Sequence, residues 1–164
     1  ILLHGAAGDW TIKNNITAHN GTEINITAEA VSGTTTFDID YNLYYDSRGG
    51  SAFHYNGTDY GFADWKTASS LDANSQNSNP LFASASDSSF LLAGLSPAID
   101  AGTAIVGLHT GSTIVGGDAG GNTRLYGSGV DIGAYERINK LSGPPIMGGA
   151  GMFILESPKF YTVP

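Results

Sequence analysis

The 164-residue chain contains no cysteine, which removes disulfides, zinc–thiolate sites and thiol chemistry together. Basic residues are also scarce: 7 Lys and Arg stand against 15 Asp and Glu, for a formal net charge of -8. Nucleic-acid backbones and anionic membrane surfaces both call for clustered cations, so neither is expected as a partner. Charged residues amount to 13%, about half the usual share, and a helical bundle would need more Glu, Lys and Leu. No run approaches the ~20 apolar residues of a membrane span. No basic, apolar, small-residue leader opens the sequence. The chain starts inside an apolar run, Ile1-Leu2-Leu3, and reads as a mature form, an excised piece or part of something longer. What is abundant is glycine, at 23 residues, with 10% aromatics and many Ser, Thr, Asn and Asp. That mixture describes a turn-rich, all-β protein, and its low charge and acidity suit a secreted, extracellular or cell-surface setting.

A repeat lies near the N-terminus. Thr11-Ile12-Lys13-Asn14-Asn15-Ile16 aligns with Asp38-Ile39-Asp40-Tyr41-Asn42-Leu43 at an offset of 27 residues, with the short alternating segment Glu23–Thr27 between them. Short strands recurring every 20–30 residues indicate coils stacked in a solenoid. Aliphatic side chains would stack inward from rung to rung. Asn15 and Asn42, at equivalent inward turns, would link coils through their side-chain amides. Strands are expected near 10–16, 23–27 and 38–44 as successive parallel runs, and again at Phe90–Leu92, Ala104–Val106 and Val130–Tyr135. Arg48 to Phe62 reads as a Gly- and aromatic-rich excursion. Ala63–Leu71 reads as a short helix with Asp64 as N-cap, and 72–89 as loop. Beyond Gly143-Pro144-Pro145, two apolar runs within residues 152–163 form an expected docking tail, giving a division into 1–136 and 137–164.

Further motifs follow in order: Phe62-x-x-Trp65-Lys66, Asp72-Ala73-Asn74-Ser75, Asn79-Pro80-Leu81-Phe82, Ser96-Pro97-Ala98-Ile99-Asp100-Ala101-Gly102, then Asp118, Gly121 and Arg124, and Val130-Asp131-Ile132-Gly133-Ala134-Tyr135-Glu136. Together with Trp10–Ile16 and Asp40–Tyr45, this ordered set resembles the C-terminal part of bacterial right-handed parallel β-helix proteins. Their secreted members include polysaccharide lyases and large surface proteins. The resemblance spans about residues 10–136. It implies closing coils plus a C-terminal cap, with polysaccharide as the partner class. It does not imply a reaction, because the family's active sites usually lie on rungs N-terminal to these motifs. It also groups Asp118, Arg124, Asp131 and Glu136, with Arg124 pairing to one or more carboxylates and pinning the last strand.

Candidate chemistry is thin. A β-eliminating lyase needs a base beside the uronate carboxylate and a cation to stabilise the enolate. Arg48, His54, Tyr55 and Lys66 are the weak candidates, alongside aromatic packing as the competing reading. A hydrolase needs carboxylates about 5–10 Å apart. Asp38 and Asp40, two apart on one strand and so roughly 7 Å apart on one face, are the candidate pair, or else two solvated surface residues. The candidate calcium ligands are Asp118 and Asn122, in a Gly-rich loop. No other cofactor is indicated. Asp100 is expected to accept hydrogen bonds from backbone amides in a turn. The expected role is structural, closing a secreted solenoid, with the chain alone non-catalytic. A small lyase or glycan-binding module is one alternative. The other is a self-assembling subunit joined through the Ile1 end and the 152–163 tail, because uncapped coils expose unpaired backbone.

Overall fold

A computed structural model describes residues 1–5, 8–18, 24–47, 52–84, 90–104, 117–124, 126–138, 152–154 and 160–162. Among these residues the chain is mostly strands, with two short helices. The elements are β1 (Leu2–Leu3), β2 (Asp9–Lys13), β3 (Ile16–Ala18), β4 (Ile24–Ile26), α1 (Ala28–Ser32), β5 (Thr36–Asp40), β6 (Leu43–Tyr45), β7 (Phe53–Tyr55), β8 (Thr58–Tyr60), α2 (Phe62–Ser69), β9 (Gln76–Asn77), β10 (Met152–Ile154) and β11 (Phe160–Thr162). No helix among the described residues is long and apolar enough to cross a membrane.

Three small sheets are built by parallel pairing of non-consecutive strands. Their orders are β1-β4-β7-β8, β2-β5 and β3-β6-β9. Ile12 pairs with Ile39 and Ile16 with Leu43, both at the offset of 27 seen in the sequence. The expected run at 10–16 is two strands, however, divided at Asn14-Asn15, and 38–44 is likewise divided at Tyr41-Asn42. The reason is conformational. Asn14 and Tyr41 both adopt the left-handed region, with φ of 59° and 56°, and that turns the chain from one sheet to the next. The segment expected at 23–27 stacks on β1, with Leu2 opposite Asn25, and not on 10–16.

The sheets do not close into a continuous solenoid. After β7 the chain reverses through Asn56-Gly57, both left-handed, into the antiparallel β8. Asn-Gly is the residue pair that a two-residue hairpin turn favours. The expected excursion over 48–62 is therefore in part a hairpin, whose first strand stacks in register on β4. α2 follows, with Gly61 at its N-cap and no side-chain cap. Asp64 lies within the first turn of α2 and is not the N-cap. Val130–Tyr135 forms no strand, and of the segment 90–92 only Leu92 forms a bridge, to Phe82. Ile105 and Val106 lie outside the described residues. In the tail, β10 and β11 pair antiparallel, and the rest of 151–164 lies outside the described residues.

Two apolar cores result. The inner one joins Leu3, Ile24, Ile26, Ala30, Ile39, Tyr44, Phe53 and Trp65, with Phe37, Tyr55, Tyr60 and Phe62 packed against it. The other joins Leu43 and Ile16 to Phe82, Leu92, Ala98, Ile99 and Ile132. Leu43 and Tyr44 are adjacent on β6, so they face opposite sides of the sheet. The second core is thus the outer face of β3-β6-β9, covered by the segments around 82–101 and 130–133. Those segments touch all three levels of this sheet or its corners. Gly133 N donates to Asn14 O, Leu43 lies in the shared core, and Gln76 Nε2 donates to Pro97 O. These closing segments therefore lie along the face of that sheet.

Candidate functional site

Two polar centres stand out. The first sits where β2, β5 and α2 hand over to the third sheet. Asn42 Oδ1 accepts from the backbone N of Asn15 at 3.0 Å and from its Nδ2 at 3.2 Å. One level on, Ser75 Oγ accepts from the backbone N of Asn42 at 2.8 Å. Asn15, Asn42 and Ser75 each immediately precede a strand of β3-β6-β9, so they are successive steps of one ladder. Asn42 is fully buried. Asn15, on the first level, is exposed, and its side-chain amide reaches that of Asn42.

Asp72 lies against this ladder, 1% exposed. Its carboxylate accepts from Trp65 Nε1 at 2.7 Å, Ser75 Oγ at 2.5 Å, Tyr44 Oη at 3.0 and 3.1 Å and Asn42 Nδ2 at 3.4 Å. Burial pushes its pKa up; the four side-chain donors oppose this without cancelling it. Sequence reasoning placed Asp72 and Ser75 only within the Asp-x-Asn-Ser motif, without a role. The available signal was a charged residue between a Trp-bearing helix and a polar strand start.

The second centre joins the closing segments. Asp118 Oδ1 accepts from the backbone N of Gly120 and Asn122, and its Oδ2 from the backbone N of Glu136. Asn122 Nδ2 reaches both oxygens at 3.1 Å. Burial works against the charge of Asp118, but the N–H donors outweigh it and hold the pKa below the usual carboxylate value. Its oxygens thus face N–H donors, an environment for an anion that takes up the lone pairs a calcium ion would use. Among the described residues no group of three His, Cys, Asp or Glu side chains converges as metal ligands would.

Asp131 Oδ1 accepts from Asp100 N at 2.7 Å and its Oδ2 from Arg137 N at 2.6 Å. Asp100 Oδ1 accepts from Ser128 N and Gly129 N, a loop 28 and 29 residues ahead. Glu136 accepts from Asp131 N with both oxygens. Arg124 donates to Gly133 O at 2.8 Å and Asp131 O at 3.2 Å, and its Nε lies 3.4 Å from Glu136 Oε1. The carboxylate that meets Arg124 is therefore that of Glu136, while Asp131 offers its carbonyl. Burial first, then the charge of Asp131, pushes Glu136 up to about 7. Burial also raises Asp131.

Two glycines explain why the closing motifs read as they do. A Cβ on Gly102 would lie 2.8 Å from Val130 O, and one on Gly133 would lie 2.9 Å from Ile16 Cδ1, where φ is also +114°. Arg124→Ala would remove the donor to two carbonyls and the guanidinium beside the buried Glu136, which keeps its bond from Asp131 N. We expect a loss of about 3 kcal/mol, measured as a shift in urea midpoint. An unchanged midpoint would show Arg124 to be a surface cation only.

The weak catalytic candidates are dispersed. Lys13 Nζ pairs with Asp38 Oδ2 at 2.7 Å on the exposed face of β2-β5. Asp40, two residues on, is bound up with a turn: Asn74 donates to both of its oxygens at 2.7 Å, and Tyr41 N donates at 2.9 Å. His54 Nδ1 lies 2.7 Å from Asp59 Oδ1 across the β7–β8 hairpin. Tyr55 sets its ring edge-on to Trp65 at 5.7 Å. Lys66 donates to Ala73 O and lies over the Phe62 ring at 5.3 Å. Arg48 lies outside the described residues. Comparison with known protein families, characterised proteins and solved structures returned no match.

Proposed function

We propose that the chain is a structural closing portion of a secreted right-handed parallel β-helix that works at extracellular polysaccharide. The observation that carries this reading is the in-register parallel pairing at offsets of 23 to 33 residues, tied at the corner by Asn15, Asn42 and Ser75. Coils stacked on one another produce that pairing, and a corner amide that bonds the preceding level produces that ladder. The polar residues that could do chemistry support the same reading by their employment. Asp40, Asp72, Asp100, Asp118 and Asp131 all bind backbone or side-chain donors that hold a turn or join two segments. The secreted setting and the polysaccharide rest on composition and on the resemblance.

The experiment is an assay of the chain on uronate and neutral polysaccharides, with and without Ca²⁺. No new unsaturated ends and no new reducing ends are expected. Turnover that His54→Ala or Arg48→Ala abolishes would overturn the structural reading in favour of a lyase.

A further inference from the structure

The three sheets each stop after their last level by a different device. In β1-β4-β7-β8 the last strand is antiparallel to β7. β8 is three residues long, and its middle residue, Asp59, has a side chain 82% exposed. A short edge strand bearing a charge resists pairing with another chain. In β2-β5 no strand follows β5 among the described residues. Asp72 N donates to Ile39 O at 2.8 Å and Asn74 N to Asp40 Oδ1 at 2.7 Å, so a turn occupies the outer side of β5. In β3-β6-β9 the last strand has two residues. The chain leaves it through Asn79-Pro80-Leu81, where Asn79 Oδ1 accepts from Leu81 N at 2.9 Å and Leu81 takes a φ of 50°. α2 covers the inner core between these edges. Trp65 stacks on Phe53 of β7 at 5.2 Å, with 20° between the ring planes, and is fully buried. Phe62 packs against Phe53 and Tyr44 at 5.7 and 5.8 Å. Asp72 ties this layer to β6 by accepting from both Trp65 Nε1 and Tyr44 Oη. At the opposite end Trp10, paired with the half-buried Phe37, is 39% exposed.

We propose that the β7–β8 hairpin, α2 and the Asp72 turn act together as a terminal cap, which closes the stacked sheets after β7 and β9 and bars a further coil or a second copy from adding there. A bare coil end offers the next coil two things: a row of unpaired N–H and C=O groups, and the apolar cross-section of the core. The antiparallel strand, the turn and the two-residue strand withdraw the first. Trp65 and Phe62 fill the second. The face that α2 turns outward is polar or small, with Ala63, Asp64, Thr67 and Ala68 exposed. Terminal units of a stacked array need such a face to stay soluble. A head-to-tail filament needs two complementary ends, and the cap removes one of them. The inference rests on the stacked-coil reading above and adds to it the place where the stack stops.

The test asks where copies meet. A nitroxide is attached to the full chain through Ala68→Cys, which supplies its only cysteine, and this copy is mixed with an isotope-labelled native copy. No broadening of the β8 and α2 amides by the label is expected, even at millimolar concentration. Asp59→Val, at an exposed position, leaves the fold in place and removes the charge from the edge. It should associate through β8, with broadening there, at concentrations at least tenfold below any at which the native chain does so. Trp65→Ala uncovers the end of the core. Where its circular dichroism stays native, its sedimentation coefficient should climb with concentration; where it does not fold, Asp59→Val decides. Native copies that broaden at β8 or α2 would overturn the proposal. So would an Asp59→Val chain that associates no more readily than the native one, or a folded Trp65→Ala chain of fixed size. None of these readings depends on turnover of polysaccharide, so a failed cap and a failed structural role remain distinct results.

Discussion

Asp72→Ala should cost on the order of 4 kcal/mol, a large share of the roughly 5–15 kcal/mol that holds a domain of ordinary stability, and should lower the thermal midpoint accordingly. The change removes one carboxylate and strands several donors. Trp65 Nε1, Tyr44 Oη, Ser75 Oγ and Asn42 Nδ2 all aim at it, and Trp65, Tyr44 and Asn42 are themselves fully buried. An unmet buried donor costs about 1–3 kcal/mol. Relaxation and entering water would recover part of the sum. The effect is also topological, since Tyr44 belongs to β6, Trp65 to α2, and Ser75 and Asn42 to the corner ladder. Asp72→Asn removes the charge and keeps the shape and one acceptor oxygen, while its NH2 faces the donors of the other oxygen. Because burial already disfavours the charge on Asp72, Asn should cost less than half as much as Ala. The measurement is urea unfolding followed by the fluorescence of Trp65 and Trp10. Equal losses for Asn and Ala would show that the carboxylate itself, and not its acceptor geometry, holds the centre.

How far the sequence discloses this arrangement depends on whether the signal is local. The offset of 27 was legible because Ile12 and Ile39 obey the same local rule, an apolar residue facing inward on a short strand, and the structure pairs them. Asn42 was legible because it repeats Asn15. Ser75 was not, since a hydroxyl replaces the amide and the spacing grows to 33 residues. The helix at 62–69 interrupts the middle rung and lengthens that step. Asp100 was expected to bind amides in a turn, and it does bind amides, but those of Ser128 and Gly129. Nothing in Ser-Pro-Ala-Ile-Asp-Ala-Gly encodes which distant loop will bring them. Val130–Tyr135 alternates like a strand, yet its hydrogen bonds go singly to Ala98 O, Asn14 O and Glu136, and no ladder forms. Alternation there records burial against the outer face of the third sheet, through Ile132, and not sheet pairing. The aromatic layer over the inner core could not be read in advance, because Trp65 and Phe53 meet only through tertiary folding.

Stability should fall as pH rises from 4.5 to 7, and Glu136→Gln should remove most of that slope. The side chain of Glu136 is fully buried, with Asp131 and Asp118 as like charges nearby and the Arg124 guanidinium 3.4 Å away. Its pKa is pushed up from 4.5 to about 7. Between those values the folded chain therefore holds a proton that the unfolded chain has released. Stability declines wherever the folded state binds more protons, so the loss accumulates through this window and levels off above it. The shift amounts to about 3 kcal/mol. Asp72 and Asp131, both raised by burial, slope the same way, beginning above their ordinary value of 3.8. Asp118 is lowered and slopes oppositely, its contribution lost as pH falls below that value. The expected curve has its maximum below pH 4.5, well on the acid side of neutrality, which is unusual for a chain with so many carboxylates. In Glu136→Gln the amide oxygen keeps the bond from Asp131 N and carries no charge to titrate. The fall between pH 5 and 8 should shrink from about 3 kcal/mol to under 1. Urea midpoints taken across that range decide the matter. A native protein more stable at pH 8 than at pH 5, or a Gln variant with an undiminished slope, would place the ionised Glu136 in a satisfied ion pair with Arg124, and the 3.4 Å separation would then be the geometry of a working salt bridge.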